Sequence, residues 1–322
     1  MPIRALFLLT CLLPLLSTAE THQVTAENYY RTFSRQHPVL KRILPGDLVV
    51  TTTIDSGGKD ENGVVRSERG NPLTGPFFIE GAEQGDGILI HFKKVRLNRD
   101  WGYSASRLGL FTLTPEYVQN IFPGKPLTWD IDLATNKVRP RDLPSTKANL
   151  EFPASPMLGC VGVAAPGDFA PTSGPAGSYG GNLDYNRIGE GATVILPVYH
   201  PGALLFIGDA HALQGDGEAT GNGVETSMAV EFTVELRKKW NLTGPRVETA
   251  TELISVGAQP EFVSSLDRAL QLATTDMVDW LVNGYGLEPS AAHVLIAFQA
   301  KYDVVTVAGT MALRIPKSVL KR

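Results

Sequence analysis

The stretch Val224-Glu225-Thr226-Ser227-Met228-Ala229-Val230-Glu231-Phe232-Thr233-Val234-Glu235-Leu236 decides the fold class of this chain. Its second half alternates between an apolar and a polar set, namely Met228, Val230, Phe232, Val234 and Leu236 against Glu231, Thr233 and Glu235. Successive side chains of a strand point to opposite faces, so this period of two predicts a strand with one buried and one solvated face. Such a strand belongs to an antiparallel sheet that packs on a core.

The rest of the chain repeats this kind of pattern in shorter pieces. The 322 residues include 32 glycines and 22 prolines, and short apolar or β-branched runs lie between turns rich in both. We predict strands at residues 48–54, 77–80, 88–97, 191–198 and 203–207. Residues 159–181, which are very rich in Gly, Ala and Pro, are predicted to form loops whose backbone approaches other groups closely.

Near the C-terminus the apolar period becomes helical. We predict one helix over residues 260–284 and a second over 289–300, because Pro260 and Pro289 suit the first turn of a helix. A last strand is predicted at residues 303–308. The predicted fold is therefore α+β and predominantly β, with β-sandwich- or barrel-like sheets, Gly-rich connecting loops and a C-terminal helical pair.

The first residues are predicted to be an export signal. A basic Arg4 precedes an apolar run at residues 5–16, and Ser17-Thr18-Ala19 is a small-residue cleavage site. The apolar run is too short to span a membrane. The mature protein is therefore expected to be secreted or periplasmic. We divide the chain into a signal peptide at 1–19, an N-terminal β-rich region at 20–150 and a C-terminal α+β region at 151–322, packed closely enough to form one domain.

Charge and cysteine content exclude several classes of function. The formal net charge is −4 and no basic run is present, so binding to nucleic acid has no electrostatic support. No run after the signal is long and apolar enough for a membrane span. Cys160 is the only cysteine after the predicted cleavage site, so no internal disulfide forms, and we interpret it as a buried apolar residue. Asn241 is a glycosylation acceptor only if the source is eukaryotic, which the sequence leaves open.

The segment Gly208-Asp209-Ala210-His211-Ala212-Leu213-Gln214-Gly215-Asp216-Gly217-Glu218 carries the strongest indication of chemistry. The predicted strand at 203–207 delivers Asp209 and His211 to its end, and a Gly-rich turn then brings back Asp216 and Glu218. Oxygen and imidazole donors of this kind suit Zn²⁺ or a similar divalent ion. The alternative is a plain polar turn, for which Asp-Gly is a common pair.

Three acidic positions share one context, a strand end that meets a Gly-rich turn: Asp55, Asp184, and Asp209 with His211. If these strand ends converge, the side chains would hold a metal that activates water and polarises a carbonyl. Glu218 or Glu80 would then carry the proton. Taken singly, each aspartate is also explained by turn formation. His200 and Asn182 are the predicted substrate-binding residues.

Several motifs in order make the chain resemble the acetamidase/formamidase family. The matching stretches are Pro45-Gly46-Asp47 with Thr53-Ile54-Asp55, residues 71–76 (Asn-Pro-Leu-Thr-Gly-Pro), 80–86 (Glu-Gly-Ala-Glu-Gln-Gly-Asp), 155–164 (Ser-Pro-Met-Leu-Gly-Cys-Val-Gly-Val-Ala), Gly180-Gly181-Asn182-Leu183-Asp184, and Gly208-Asp209-Ala210-His211 through Gly223-Val224-Glu225. The similarity extends from about Pro38 to Pro316.

The resemblance implies hydrolysis of a short amide to an acid and ammonia, and a homodimer or higher homo-oligomer. It also implies a metal-assisted site with Asp55, Asp184, Asp209 and His211 as ligands, Glu218 in proton transfer, and Glu225 and Glu80 as outer or second-metal residues. Zinc is the expected metal, with calcium as the alternative.

The chain departs from the family in its export signal and in two individual stretches, residues 58–70 and 101–129. These two stretches are expected to reshape the pocket, so the substrate need not be formamide or acetamide. The competing hypothesis, of another class, is a non-catalytic β-rich binding module on an amidase scaffold that Ca²⁺ stabilises through the Asp-rich turns. His211 favours the metalloenzyme, because calcium has no need of an imidazole.

Overall fold

The computed structural model of the protein describes residues 19–109, 111–141, 143, 147–258 and 265–320. All of the predicted signal peptide except Ala19, and the predicted start of the first C-terminal helix at 260–264, lie outside the described residues. Within the described ranges, no helix is long and apolar enough to cross a membrane.

The chain forms two large sheets and a pair of C-terminal helices. In chain order the strands are β1 Thr21–Gln23, β2 Lys41–Ile43, β3 Leu48–Thr53, β4 Leu73–Ile79, β5 Gly87–Leu97, β6 Trp101–Ala105, β7 Pro126–Asp132, β8 Lys137–Pro140, β9 Phe152–Pro153, β10 Met157–Gly162, β11 Ala176–Gly177, β12 Gly180–Asn182, β13 Thr193–Pro197, β14 Leu205–His211, β15 Glu225–Thr226, β16 Met228–Arg237, β17 Arg246–Glu248, β18 Glu252–Gly257, β19 Lys301–Thr306 and β20 Thr310–Pro316. The helices are α1 Pro115–Val118, α2 Leu266–Asp279 and α3 Pro289–Gln299, with a π-helical turn at Trp280–Gly284 and a 3-10 turn at Lys317–Val319.

The first sheet has nine strands in the order β1-β3-β16-β5-β13-β17-β18-β20-β19. The second has eleven: β11-β12-β10-β14-β15-β6-β7-β8-β9, with β4 also paired to β14 and β2 paired to β4. The first sheet contains strands from both predicted regions of the chain. β16, from the C-terminal region, lies between β3 and β5, which come from the N-terminal region.

The two sheets pack face to face as a sandwich. Phe77 of β4 and Phe232 of β16 meet between them, with ring centroids 5.3 Å apart. The inward residues of β16 and Ile207 of β14 belong to one buried apolar cluster. Burial along β16 alternates from Met228 to Val234, because the other face of the strand carries its polar set. The predicted, predominantly β fold is confirmed.

The predicted strand at 224–236 divides at Ser227, where the chain passes from one sheet to the other. β15 pairs with β14 and β6 in the second sheet, whereas β16 pairs with β3 and β5 in the first. Ser227 Oγ donates to Asn98 Oδ1 at 2.7 Å, in the connection through which the chain passes from β5 to β6. Strands that switch sheets make the corners of sandwiches. This corner places Glu225 beside β14.

The C-terminal helices cover the face of the first sheet that points away from the sandwich. Met277 of α2 and Leu281 pack in one buried cluster with Leu89 of β5 and Leu313 of β20. A Cβ at Gly257 of β18 would collide with the backbone of α2, so the helix lies directly on the strand. The predicted helical pair is thus present, and the sequence reading missed β20.

Candidate metal centre

β14 carries two candidate ligands into the middle of the second sheet. Every residue of the strand is buried, because β10 flanks it on one side and β4 and β15 on the other. A strand covered on both faces is apolar along its length, and Leu-Phe-Ile fits this rule up to Gly208. The strand then continues past the predicted end at 207 and includes Asp209 and His211.

His211 lies between two carboxylates. Its Nε2 atom is 3.1 Å from Glu225 Oε1 and 3.7 Å from Asp209 Oδ1. Glu225 arrives on β15 and is the residue opposite His211 in the register of the two strands. The candidate ligand atoms of these three residues lie within 4.8 Å of one another. Their spacing is suited to a single cation.

Two loops complete the cluster. Asp184 follows β12 and Glu218 lies in the turn after β14, and their ligand atoms also lie within 4.8 Å of each other and of His211. Gly159 of β10 lies beside both aspartates: a Cβ there would overlap Asp184 Oδ1 and lie 2.7 Å from Asp209 Oδ2. The carboxylates occupy this space because position 159 has no side chain.

The backbone is strained at the positions that supply the carboxylates. Asp184, Asp209 and Glu218 have φ values of 47°, 52° and 45°, and the neighbouring Asn71 has 50°. Left-handed backbone costs a non-glycine residue about 1–3 kcal/mol and clusters at functional sites. Four such residues at one place therefore support a functional rather than a purely structural cluster.

Gln214 fixes the tautomer of His211. Its side-chain amide donates to the backbone carbonyl of Asp184, which turns Oε1 toward the imidazole, 2.7 Å from His211 Nδ1. Because an amide oxygen only accepts, Nδ1 carries the proton. A metal-ligating histidine is oriented by this kind of second contact, and Nε2 is left to face the carboxylates.

Two asparagines hold the aspartates. Asn71 Nδ2 donates to Asp209 Oδ2 at 3.1 Å, and Asn182 Nδ2 donates to Asp184 Oδ2. The Asn182 carbonyl oxygen accepts from the thiol of Cys160 at 2.9 Å. Each aspartate therefore has one bound oxygen and one oxygen that is left for another partner.

The atoms that remain define the site. Asp184 Oδ1, Asp209 Oδ1, His211 Nε2 and Glu225 Oε2 are buried and have no hydrogen-bond partner. A buried polar atom without a partner costs about 1–3 kcal/mol. The four residues belong to two overlapping groups of candidate ligands that share His211. One imidazole nitrogen with carboxylate oxygens is a donor set that suits a divalent cation. The residues present therefore fit a metal.

The electrostatics of the cluster show the same need for positive charge. Burial is the largest cause that raises the pKa of Asp184 well above its ordinary value, and the pKa of Glu225 also rises. Burial likewise raises the pKa of Glu218 to about 8, against the opposing effect of His211. Burial disfavours the imidazolium, but Glu225 and Asp209 outweigh it and raise the pKa of His211. A proton on Nε2 and a divalent cation would compete for the same place.

Asp55 was expected as a ligand, and the structure gives it another role. Its Oδ2 accepts from Arg99 Nη1 at 2.8 Å and its Oδ1 accepts from the backbone of Lys59. Both charged side chains of this pair are almost fully buried. Asp55 therefore anchors the loop after β3. Because both of its oxygens already accept hydrogen bonds, the prediction that Asp55 is a metal ligand is corrected.

Three other predicted residues also lie apart from the cluster. At the protein surface, both side-chain oxygens of Glu80 accept hydrogen bonds from the guanidinium of Arg42. His200 Nε2 is bonded to the carbonyl of Ala165 at 2.7 Å. Asp216 is exposed and accepts from Asn186. A catalytic role for Glu80 and substrate binding by His200 are therefore corrected, because neither side chain reaches the cavity beside the cluster.

The sequence reading missed Asn71, Gln214 and the role of Gly159. Gln214 lies inside the 208–218 segment, but its contact with the backbone of Asp184 exists only in the folded chain. Asn71 lies in the Asn-Pro-Leu-Thr-Gly-Pro stretch, whose resemblance to the family was the only indication available. Cys160 is buried as predicted, and burial raises the pKa of its thiol.

A cavity of about 560 Å³ opens beside the cluster. Its acidic lining, which we call the acidic floor, consists of Asp184, Asp209, Glu218 and Glu225, and Asn182 lines it as well. Glu218 is less buried than the other three carboxylates, so it is the acid that a molecule in the cavity meets first.

Comparison with known proteins gives consistent matches. The profile of the Acetamidase/Formamidase family matches residues 167–267. The structure is similar to an acetamidase from Yersinia enterocolitica, with 29% identity over 95% of each chain and a TM-score of 0.81. It is also similar to a protein from Thermoanaerobacter tengcongensis described as a predicted acetamidase/formamidase, with 30% identity over 94% of this chain and 98% of that one and a TM-score of 0.78.

Curated relatives match over a shorter length. A putative formamidase from Schizosaccharomyces pombe is 27% identical over 51% of this chain and 51% of its own. The chain therefore spans about half the length of that relative.

Proposed function

The chain belongs to the acetamidase/formamidase family, and from this premise we propose that it is a metal-dependent amidohydrolase. Its reaction would cleave a short linear amide, of the formamide or acetamide type, to a carboxylic acid and ammonia. The observation that carries this proposal is the set of four buried donor atoms without partners, contributed by Asp184, Asp209, His211 and Glu225.

We propose zinc as the metal. His211 would bind it through Nε2, and Asp184 and Asp209 through their free Oδ1 atoms, with Glu225 as the fourth donor. One imidazole among carboxylates suits Zn²⁺, whereas Ca²⁺ takes oxygen ligands alone. We propose a single metal ion, because the two groups of candidate ligands share the one free nitrogen of His211. When bound, the metal would lower the pKa of a water molecule and polarise the amide carbonyl.

Glu218 is the proposed proton carrier. It lines the cavity and is less buried than the other carboxylates, so both water and substrate can reach it. A bound divalent cation would favour the ionised form of Glu218, which would accept a proton as the water oxygen adds to the acyl carbon. It would then donate that proton to the nitrogen as the carbon–nitrogen bond breaks and ammonia leaves. His211 would hold the metal rather than carry a proton, because both ring nitrogens are engaged.

The decisive experiment combines metal analysis with ammonia release from a panel of amides. The wild type should contain about one zinc per chain and lose activity to a chelator. Asp209→Asn should lose both metal and turnover while its circular dichroism spectrum stays native. Asp216→Asn, an exposed acid of the same segment, is the matched control. Full activity of Asp209→Asn would refute the site, and calcium content without hydrolysis of any amide would favour the binding module.

We further propose that the protein is exported and forms homo-oligomers. Export rests on Arg4, the apolar run at 5–16 and the small residues before Glu20. An N-terminus near Glu20 in protein recovered outside the cytoplasm would support cleavage, and an intact Met1 would contradict it. Light scattering of the mature protein tests the oligomer, and a monomer mass would contradict it.

A further inference from the structure

The cavity beside the carboxylate cluster has an apolar wall next to its acidic lining. That wall is formed by Phe111, Pro175, Ala176, Val307 and Ala308. Phe111 is 64% exposed, which places it at the mouth. Apolar walls with a few polar groups at one end are the usual form of a small-molecule site.

Backbone hydrogen bonds connect the part of the wall that contains Val307 to the turn that carries Glu218. The backbone N–H of Gly217 donates to Val304, and the N–H of Val307 donates back to Gly217 at 2.8 Å. A Cβ at Gly217 would lie 3.5 Å from Val307 Cγ1. The turn between β19 and β20 is thus fastened next to Glu218, so Val307 has a defined position relative to the reacting group.

The lining also selects by charge. Among the described residues, the charged side chains that line this cavity are all acidic: Asp184, Asp209, Glu218 and Glu225. Its remaining polar lining consists of neutral groups such as Ser56, Asn71 and Asn222. Apart from the proposed metal ion at the carboxylate cluster, no described lining residue is a cation that could pair with a carboxylate at the far end of the acyl group, and desolvating that carboxylate is costly.

The size of the cavity exceeds what the smallest amides need. About 560 Å³ falls within the roughly 300–1,000 Å³ of sites that hold drug-sized ligands. Formamide or acetamide would leave most of the apolar wall in contact with water. A longer acyl chain would cover that wall and gain from its burial.

From the volume, the wall and the lining charge, and on the basis of the proposed amidase function, we infer that the substrate is a neutral primary amide. Its acyl group is apolar and larger than acetyl. The amide carbon lies at the acidic floor, the acyl chain lies against Val307 and Ala176, and Val307 determines specificity.

The test measures ammonia release from formamide, acetamide, butyramide and 4-methylpentanamide, together with succinamate, which matches the last in shape but carries a carboxylate. We expect kcat/KM to rise roughly fourfold for each added methylene that is buried. Succinamate should be hydrolysed at least tenfold less efficiently than 4-methylpentanamide.

Val307→Thr keeps the volume of the wall but adds a hydroxyl. It should lower the ratio of kcat/KM for 4-methylpentanamide to that for acetamide several-fold. Val294→Thr, on the exposed face of α3, should leave this ratio unchanged. A preference for formamide or acetamide, or equal use of succinamate, would overturn this inference and leave the amidase proposal intact. Failure to hydrolyse any of the amides would refute both.

Discussion

His211 Nδ1 donates to Gln214 Oε1 at 2.7 Å, and this contact turns Nε2 toward Asp209 and Glu225. The glutamine is itself held by the backbone of Asp184. One side chain therefore links the loop after β12 to the imidazole of β14 and sets which nitrogen faces the site.

Gln214→Ala should weaken metal binding by about 10–100-fold, the usual effect of removing a partner that orients a metal ligand. The imidazole would lose its fixed tautomer but remain in place. Titration against a competing chelator measures the metal Kd. Gln271→Ala makes the same deletion on the exposed face of α2 and should leave the Kd unchanged; an unchanged Kd in Gln214→Ala would contradict the role of this contact.

Gly159→Ala should displace Asp184 and Asp209, because the added Cβ needs the space that their carboxylate oxygens occupy. We expect at least tenfold weaker metal binding and a loss of about 1–3 kcal/mol in unfolding free energy from overpacking. Gly215→Ala is the control, since its Cβ would meet no atom within 4 Å. Wild-type metal affinity in Gly159→Ala would show that the carboxylates are placed otherwise.

The variant Asp55→Asn tests whether Asp55 stabilises the fold or binds the metal. It breaks a buried pair with Arg99 and should lower the unfolding free energy by about 3 kcal/mol. The folded variant should still bind the same amount of metal. Asp130→Asn, which breaks exposed pairs with Arg139 and Arg141, should cost less than about 1 kcal/mol. If the folded Asp55→Asn variant lost its metal, Asp55 would have to be a metal ligand.

Asp86 makes part of the stability depend on pH. Burial alone would raise its pKa, but hydrogen bonds from Lys238 and from the backbones of Lys239 and Glu83 outweigh it, so the pKa is lowered. A carboxyl with a lowered folded pKa stabilises the fold above its unfolded pKa of about 3.9, and this contribution is lost as the pH falls through the folded value.

Asp86→Asn should therefore reduce the unfolding free energy by about 1–3 kcal/mol at pH 7, and the difference should shrink toward acid pH. Denaturant titrations at several pH values check this. Glu83→Gln removes an exposed partner of the same lysine and should have little effect. A difference that is constant between pH 7 and pH 3 would contradict the ionic origin.

Local pattern was sufficient for several elements of the fold. The alternation from Met228 onward predicted β16, because burial of one face imposes a period of two. The helical spacing of apolar residues from Phe262 to Leu281 predicted α2, and Pro289 predicted the start of α3. Residues 159–162 of the buried strand β10 were predicted to form a loop because they are rich in glycine. The neighbours that leave no room for side chains at Gly159 and Gly162 are distant in the chain. The division of residues 224–236 at Ser227 also depends on a partner, Asn98, far away in the chain.

The sequence by itself determined the sheet-forming pattern, the family resemblance and the supply of acids and one imidazole around residues 208–218. Only the tertiary structure decided which acids meet. Asp55 and Asp184 are alike in sequence, each beside glycines at a strand end, yet Arg99 neutralises the first, while β10 and β14 bring the second to His211. The difference arises because a carboxylate is paired or left open by residues distant in the chain, and those pairings exist only once the two sheets have closed on each other.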